Sequence, residues 1–253
     1  MNYDVPIVQL CPMIYGGVLP QTYECLMQDL LHLGKHVPLR HGTVYNDADI
    51  GRCRGKVASA FYQSWHQMGD KRRRPDVCVM IDHDLTWRTG RFEDGYECMS
   101  DLLHMVMAAH QTKGIVGGIV SLRTFGGGIA SRFARTGEFR TGEDRIEPAT
   151  YVGSAFMAFH RDVLDRMIRA GSVKLNHDNW WPFFLQEQRE HPEMPGAQEH
   201  LSEDWAFCRR ALDLDIPVHI DCYPVIHHHG HYGFGIQDAF TQWPPKQQVQ
   251  DAA

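Results

Sequence analysis

PDVCVMIDHDLTW, residues Pro75 to Trp87, reads as a strand whose apolar run from Val77 to Ile81 ends abruptly in two carboxylates, Asp82 and Asp84. A short continuous apolar run bounded by proline is what a strand buried on both faces requires. In an extended segment side chains two apart point the same way, which puts Asp82 and Asp84 together and His83 on the opposite side. Two convergent carboxylates repel each other unless a cation or a shared proton relieves them. Hard oxygen ligands favour Mn2+ or Mg2+, the more so when a diphosphate supplies further oxygens. Two solvated acids leading into the next helix are the competing reading.

Working outward, IVQLCPMI (7–14) reads as a short buried strand that breaks at Pro12. A helix follows with apolar positions at Tyr23, Leu26, Met27, Leu30 and Leu31 and a stop at Gly34, then a weak strand near His36 to Leu39. The spacing of Ile50, Val57, Phe61 and Trp65 predicts a helix from about Ala48 to Met68, and a second Leu- and Met-rich helix runs from Tyr96 to Ala109. GIVGGIVSL (114–122) is a further strand, TYVGSAFMAFHRDVLDRM a strand and helix, SEDWAFCRRALDLDI a helix, and VHIDCYPVIHHHG a strand with a histidine-rich end. Alternating strands and helices imply an α/β fold: a Rossmann-type, mostly parallel sheet with helices on both faces. Ligands of such sheets bind beyond the carboxyl ends of the strands, where Asp82 and Asp84 fall. Residues 123–147 and 176–196 lack a clear period, no repeat or linker is visible, and the expectation is a single domain over 1–239 with a frayed tail at 240–253.

A hydrophobic share of 43% in 253 residues is enough for a substantial core and excludes a disordered chain. No apolar run approaches the ~20 residues of a membrane span, and the start lacks a secretory pattern, so a cytoplasmic location is expected. Seven cysteines without a C-x-x-C pair read as reduced core thiols. The net charge of -6 counts against nucleic-acid binding by bulk electrostatics; the run Lys71 to Arg74, flanked by Asp70 and Asp76, reads as a solvated loop or a local basic patch.

Four further groups bear on chemistry. Glu203 and Asp204 open a helix behind Ser202, either as acids complementing the helix dipole or with one of them facing the metal cleft as a base. The run His227, His228, His229 suggests one imidazole completing a mixed site, which favours Mn2+ somewhat over Mg2+. Trp180, Trp181, Phe183 and Phe184 form an aromatic cluster that suits a sugar ring or nucleobase, or a local hydrophobic plug. The arginines of the glycine-rich stretch, Arg123, Arg132, Arg135, Arg140 and Arg145, read as contacts to an anionic acceptor, as a lid, or as solvated loop residues. GRCRGKV (51–57) falls one residue short of a phosphate-binding loop and has Val57 where Ser or Thr is required.

Taken in order, LCPMIYGG, ADIGRCRGKVASAF, MIDHDLTW, YVGSAFMAFHRDVLDRM, SEDWAFCRRA and His228-His229-Gly230 resemble a GT-A type glycosyltransferase over roughly residues 6 to 235. The resemblance implies that Asp82 and Asp84, with His228, hold Mn2+ or Mg2+ against the donor diphosphate, and that Asp82 also belongs to the nucleotide site. It implies that Arg54 lies near the diphosphate or ribose, and Pro12 and Tyr15 near the base. Asp204, and after it Glu203, is implied as the catalytic base. Gly153 and Ser154 stand in the family's donor-sugar turn, with Ala155 in place of a glycine; Trp180 and Trp181 are candidates for the acceptor or donor sugar. The partner implied is a nucleoside-diphosphate sugar, a UDP-sugar first, with a polysaccharide, a lipid-linked sugar, a protein or a modified DNA base as acceptor. DHDLT also fits the nucleophile motif of haloacid-dehalogenase-like phosphatases, with Asp82 forming an aspartyl phosphate. A non-catalytic nucleotide-sugar-binding module on the same fold is the third reading.

Overall fold

The computed structural model describes residues 5–14, 17–43, 47–90, 98–135, 139–191, 194–230 and 232–240. Tyr15 and the tail from 241 to 253 lie outside the described residues. The first half runs β1 (Val8–Met13), α1 (Pro20–His36), β2 (Leu39–His41), α2 (Ile50–Gln63), β3 (His66–Met68), β4 (Lys71–Arg73), β5 (Val77–Asp82), β6 (Leu85–Thr86), α3 (Asp101–Thr112) and β7 (Ile115–Gly118). The second runs β8 (Arg132–Phe133), β9 (Ile146–Tyr151), β10 (Phe156–His160), α4 (Arg161–Arg169), β11 (Glu187–Glu190), β12 (Gln198–Leu201), α5 (Glu203–Leu212), β13 (Val218–Asp221), β14 (His227–His229), β15 (Gly233–Phe234) and α6 (Ile236–Ala239).

Eight strands form one sheet in the order β2-β1-β5-β10-β7-β13-β9-β8. β2, β1 and β5 are parallel, as are β7 and β13, whereas β10 runs against both its neighbours and β9 runs against β13 and β8. Only β9 and β10 of the eight therefore oppose the rest, so six strands share one direction and the two reversed strands both lie inside the sheet, β10 near its middle and β9 next to the edge strand β8. After β9 the chain crosses the sheet face at Gly117, where a Cβ would stand 2.6 Å from the Val152 side chain; glycine is what permits that approach.

Strand periodicity divides the core between the two faces. Along β5, Cys78 and Met80 pack among side chains of α2, α4 and α5, while Val77, Val79 and Ile81 pack among those of α1 and α3. Cys11 and Met13 of β1 join the first group, and Val8 and Leu10 the second. Both faces are covered, which is why these strands carry unbroken apolar runs.

Several local expectations are corrected. β1 does not break at Pro12 but continues to Met13, because β2 pairs only with Val8 to Leu10 and leaves Pro12 no partner strand on that edge to need its missing N–H. Helix α1 passes through Gly34 to His36, and β2 forms three residues later than expected. α2 ends at Gln63 because His66–Met68 turn back on Lys71–Arg73 about Gly69, whose φ of 60° is the left-handed conformation glycine tolerates. Helix α3 begins at Asp101, capped by the Ser100 hydroxyl accepting from Leu103 N at 3.0 Å; the expected start at Tyr96 lies outside the described residues. The irregular stretch 176–196 contributes a strand, β11, that pairs with β12. The histidine-rich segment separates from β13 and forms β14, which lies between β15 and β6 in a small second sheet. That second sheet brings His228 opposite Leu85, immediately after the acid pair.

Candidate active site

β1 and β5 run parallel with Met13 beside Asp82, and a cleft of about 340 Å3 opens at their carboxyl ends. Its lining is apolar at Met13, Ile14, Ala48, Ile50 and Cys53 and polar at Asp47, Asp82, His83, Asp84, Arg123 and His228. Both acids of the D-x-D motif are therefore in the wall, as expected. His83 is there too, contrary to the alternation argument. Residues 83 and 84 form the turn between β5 and β6 rather than extended strand, so the two-residue period ends at Asp82.

Each acid has its own cation. Arg54, on α2 and only 3% exposed, donates from Nη2 to Asp82 Oδ1 at 2.9 Å and Oδ2 at 3.1 Å, and from Nη1 to Glu203 Oε1 at 2.5 Å. Arg123 donates from Nη1 to Asp84 Oδ2 at 2.9 Å. Burial works to raise the Asp84 pKa, but His228, His83 and Arg123 outweigh it and hold the carboxyl below its ordinary value. Arg54, expected near the diphosphate or ribose, is not in the cleft lining; its guanidinium is buried against two carboxylates, one of which, Asp82, is in the wall.

Imidazole geometry tests the metal expectation. His228 Nδ1 is 2.9 Å from the Ser121 carbonyl oxygen, which can only accept, so Nδ1 carries the proton. In the neutral ring Nε2 then presents its lone pair toward Asp84 Oδ2, 3.5 Å away. A lone pair facing a carboxylate calls for positive charge between or upon them, either a proton on the ring or a cation. A carbonyl-anchored imidazole beside carboxylate oxygens is a donor set that fits Mn2+ or Mg2+. Among the described residues no three acid, imidazole or thiol ligands are gathered at metal-binding distances, and Asp82 and Asp84 are each paired with an arginine.

The acid pair of α5 divides. Glu203 is buried, and burial followed by the charge of Asp204 raises its pKa against the opposing pull of Arg54. Asp204 is half-buried and accepts from Ser154 N at 3.2 Å on Oδ2, and from the Ser202 hydroxyl at 2.5 Å and Trp205 N at 2.8 Å on Oδ1. Ser202 occupies the N-cap position without a side-chain cap bond, its hydroxyl being turned to Asp204 instead. Gly153 N is held by Ser131 Oγ at 3.2 Å, and the Ser154 hydroxyl is buried without a partner among the described residues. The turn between β9 and β10 is thus tied to Asp204.

Other expected residues lie elsewhere. Pro12 is buried one residue short of the cleft wall, its carbonyl taken by Thr43 Oγ1 at 2.5 Å; Met13 and Ile14 make the wall. Trp180 and Trp181 pack on α2 rather than in the cleft. Trp180 covers Gly55, and Trp181 donates its N–H to Ser59 Oγ at 2.8 Å and meets Tyr62 edge-on at 5.2 Å. With Phe183 and Phe184 fully buried, this cluster is a hydrophobic plug. Asp47 was not anticipated: it lines the cleft and accepts from Arg52 Nε at 3.0 Å and Lys56 Nζ at 2.8 Å, which hold its carboxyl well below the ordinary range. The signal was present in Arg52 and Lys56, one helical turn apart just downstream of an acid.

The chain is similar in structure to A197 from STIV, at 12% identity over 92% of each chain with a TM-score of 0.52. That likeness speaks to the fold alone. Two further solved structures resemble it more loosely: a UTP-bound UGPase from Acinetobacter baumannii (6% identity, 88% of each chain, TM-score 0.46) and an apo UDP-glucose pyrophosphorylase (6% identity, 88% of this chain and 76% of that one, TM-score 0.40). No protein-family model matches the sequence, and no curated protein matches it. Among the described residues no helix is long and apolar enough to cross a membrane.

Proposed function

We propose that this protein is a metal-dependent glycosyltransferase of the GT-A type, transferring a sugar from a nucleoside-diphosphate donor, a UDP-sugar first, to a hydroxyl acceptor. The Asp84 and His228 pair carries the reading: an imidazole whose outer nitrogen is fixed by a backbone carbonyl points its inner nitrogen at a carboxylate 3.5 Å away, in a cleft that also contains Asp82. Asp82, Asp84 and His228 are the residues that would hold Mn2+ or Mg2+, once Arg54 and Arg123 give up their share of the two carboxylates. When bound, the cation supplies Lewis-acid stabilisation of the charge that develops on the departing diphosphate.

The chain's own groups do the rest. Met13, Ile14 and Ile50 offer the base an apolar wall. Arg123, with 54% of its side chain exposed, is placed to turn from Asp84 to a phosphate oxygen. Asp204 takes the acceptor proton as the new glycosidic bond forms, its orientation set by Ser154 N, Ser202 and Trp205 N. Glu203, buried against Arg54, positions Asp82 and does not serve as base. The phosphatase reading has no observation in its favour here, since it leaves His228 without a task and β1, β2, α1 and α2 precede the supposed nucleophile.

Calorimetric titration of UDP, GDP, CDP and ADP, with and without Mn2+, tests the proposal against Asp84→Ala. Metal-dependent binding of one nucleotide, lost in the variant, is expected. No metal-dependent binding to any of the four by the folded protein sinks it, and trapping with beryllium fluoride then tests the phosphatase.

A further inference from the structure

The β3–β4 hairpin lies at the amino end of β5, the opposite end from Asp82. Its sequence, WHQMGDKRRRP, sets a tryptophan against four consecutive cations. In the observed register His66 faces Arg73 and Gln67 faces Arg72, so Arg72 and Arg74 project from one face and Arg73 from the other. Arg73 turns to Asp76 at 3.4 Å. Arg72 and Arg74 instead stand over Trp65, at 5.5 Å and 4.8 Å from the ring centroid, and among the described residues neither pairs with a carboxylate. Trp65 is 43% exposed although it is among the largest apolar side chains in the protein. The base of the hairpin is braced by Arg161, which donates to the Pro75, Phe61 and Tyr62 carbonyls. Arg40, on the edge strand β2, is close enough to help lower the pKa of His66 after burial, so it extends the positive surface.

We propose that this hairpin is a binding surface for single-stranded nucleic acid, separate from the cleft. Residues two apart on a strand have Cα atoms about 6.6 Å from each other, comparable to neighbouring phosphates in an extended single strand. The exposed part of the Trp65 ring offers a base a stacking partner, and the guanidinium planes themselves stack on bases. Of the nearby acids, Asp76 is engaged by Arg73 and by Ile7 N at 2.8 Å, and Asp70 is at the exposed turn. An anionic bilayer is less well suited, since membrane-surface binding needs an extended apolar face beside the charges, and here the indole of Trp65 stands among cations rather than in an apolar patch. The overall charge of -6 confines the effect to the hairpin, within a Debye length of roughly 10 Å at moderate salt.

The experiment is fluorescence anisotropy of a labelled oligothymidylate of about 20 nucleotides at roughly 50 mM salt and upward. The wild-type protein is expected to bind, with affinity falling as salt rises. Arg72→Glu/Arg74→Glu should weaken binding at least tenfold and flatten the salt slope by about 1.4, roughly 0.7 for each single-strand phosphate contact removed. Trp65→Ala should weaken binding severalfold with the salt slope unchanged, and melting curves check that each variant is folded. Asp84→Ala should bind the oligonucleotide as wild type does, which keeps this result separate from the fate of the cleft. Absence of binding by wild type, equal binding by the folded Arg72/Arg74 variant, or binding only to phosphatidylserine vesicles would each overturn the proposal.

Discussion

Asp82 and Glu203 are held by opposite nitrogens of one guanidinium, Arg54 Nη2 at 2.9 Å and Nη1 at 2.5 Å. The three charges join the end of β5, the helix α2 and the first turn of α5. Removing the arginine leaves a buried carboxylate unpaired, a change that costs about 3–5 kcal/mol in comparable buried pairs. Urea unfolding of Arg54→Ala should show a loss of that order; a loss under ~1 kcal/mol would mean that water replaces the guanidinium at no great expense.

Asp29, fully buried beneath Trp87, gives the fold a pH dependence. Burial, against the hydrogen bond from Trp87 Nε1 at 2.5 Å, pushes its pKa up to about 7. Between the unfolded value near 4 and about 7 the folded state binds the extra proton, so stability is fullest at low pH and is lost as pH rises through about 7. The slope from this group is at most about 1.4 kcal/mol per pH unit. Asp29→Asn should flatten it in urea titrations from pH 5 to 8, and an unchanged slope would clear Asp29 of the effect.

Arg123 competes with any cation for Asp84. An ion pair as exposed as this one is worth roughly 0.2–1 kcal/mol, so Arg123→Ala should tighten Mn2+ binding in the absence of nucleotide by up to about fivefold. Weaker Mn2+ binding in the variant would show that the arginine organises the site. With nucleotide present the expected sign reverses, because a phosphate contact is lost.

Trp180 fits over α2 only because residue 55 has no side chain: a Cβ there would stand 2.7 Å from the ring. Gly55→Ala should therefore cost about 1–3 kcal/mol through overpacking, in spite of alanine's better helix propensity. In combination with Trp180→Ala the penalty should shrink, since the clash partner is gone. Strict additivity in thermal melts would mean the ring simply moves aside.

How far these features were readable in advance depended on how local they were. β5 was readable because both its faces are buried and its composition carries the whole signal. The hairpins β3–β4 and β11–β12 were not, because short polar strands have no apolar alternation and Trp65 happened to continue a helical spacing. Asp82, Asp84, His228 and Asp204 were named from motifs, but their partners came from other parts of the chain. The β5–β6 turn that brings His83 into the cleft, and the second sheet that sets His228 against Asp84, arise from pairings between distant segments. Arg54 was singled out, yet its burial against Glu203 could be seen only once α2 and α5 lay side by side.

Arg54 reaches Asp82 across 28 residues of chain but Glu203 across 149. A chain growing from its amino end therefore acquires the first carboxylate long before the second exists. Until α5 docks, a cation destined for burial stays half neutralised, and long closures of this kind are the slow steps of folding. Competence of the cleft is thus tied to the last stages of maturation, and pulsed hydrogen exchange should find the amides of α5 protected after those of β1 and β5.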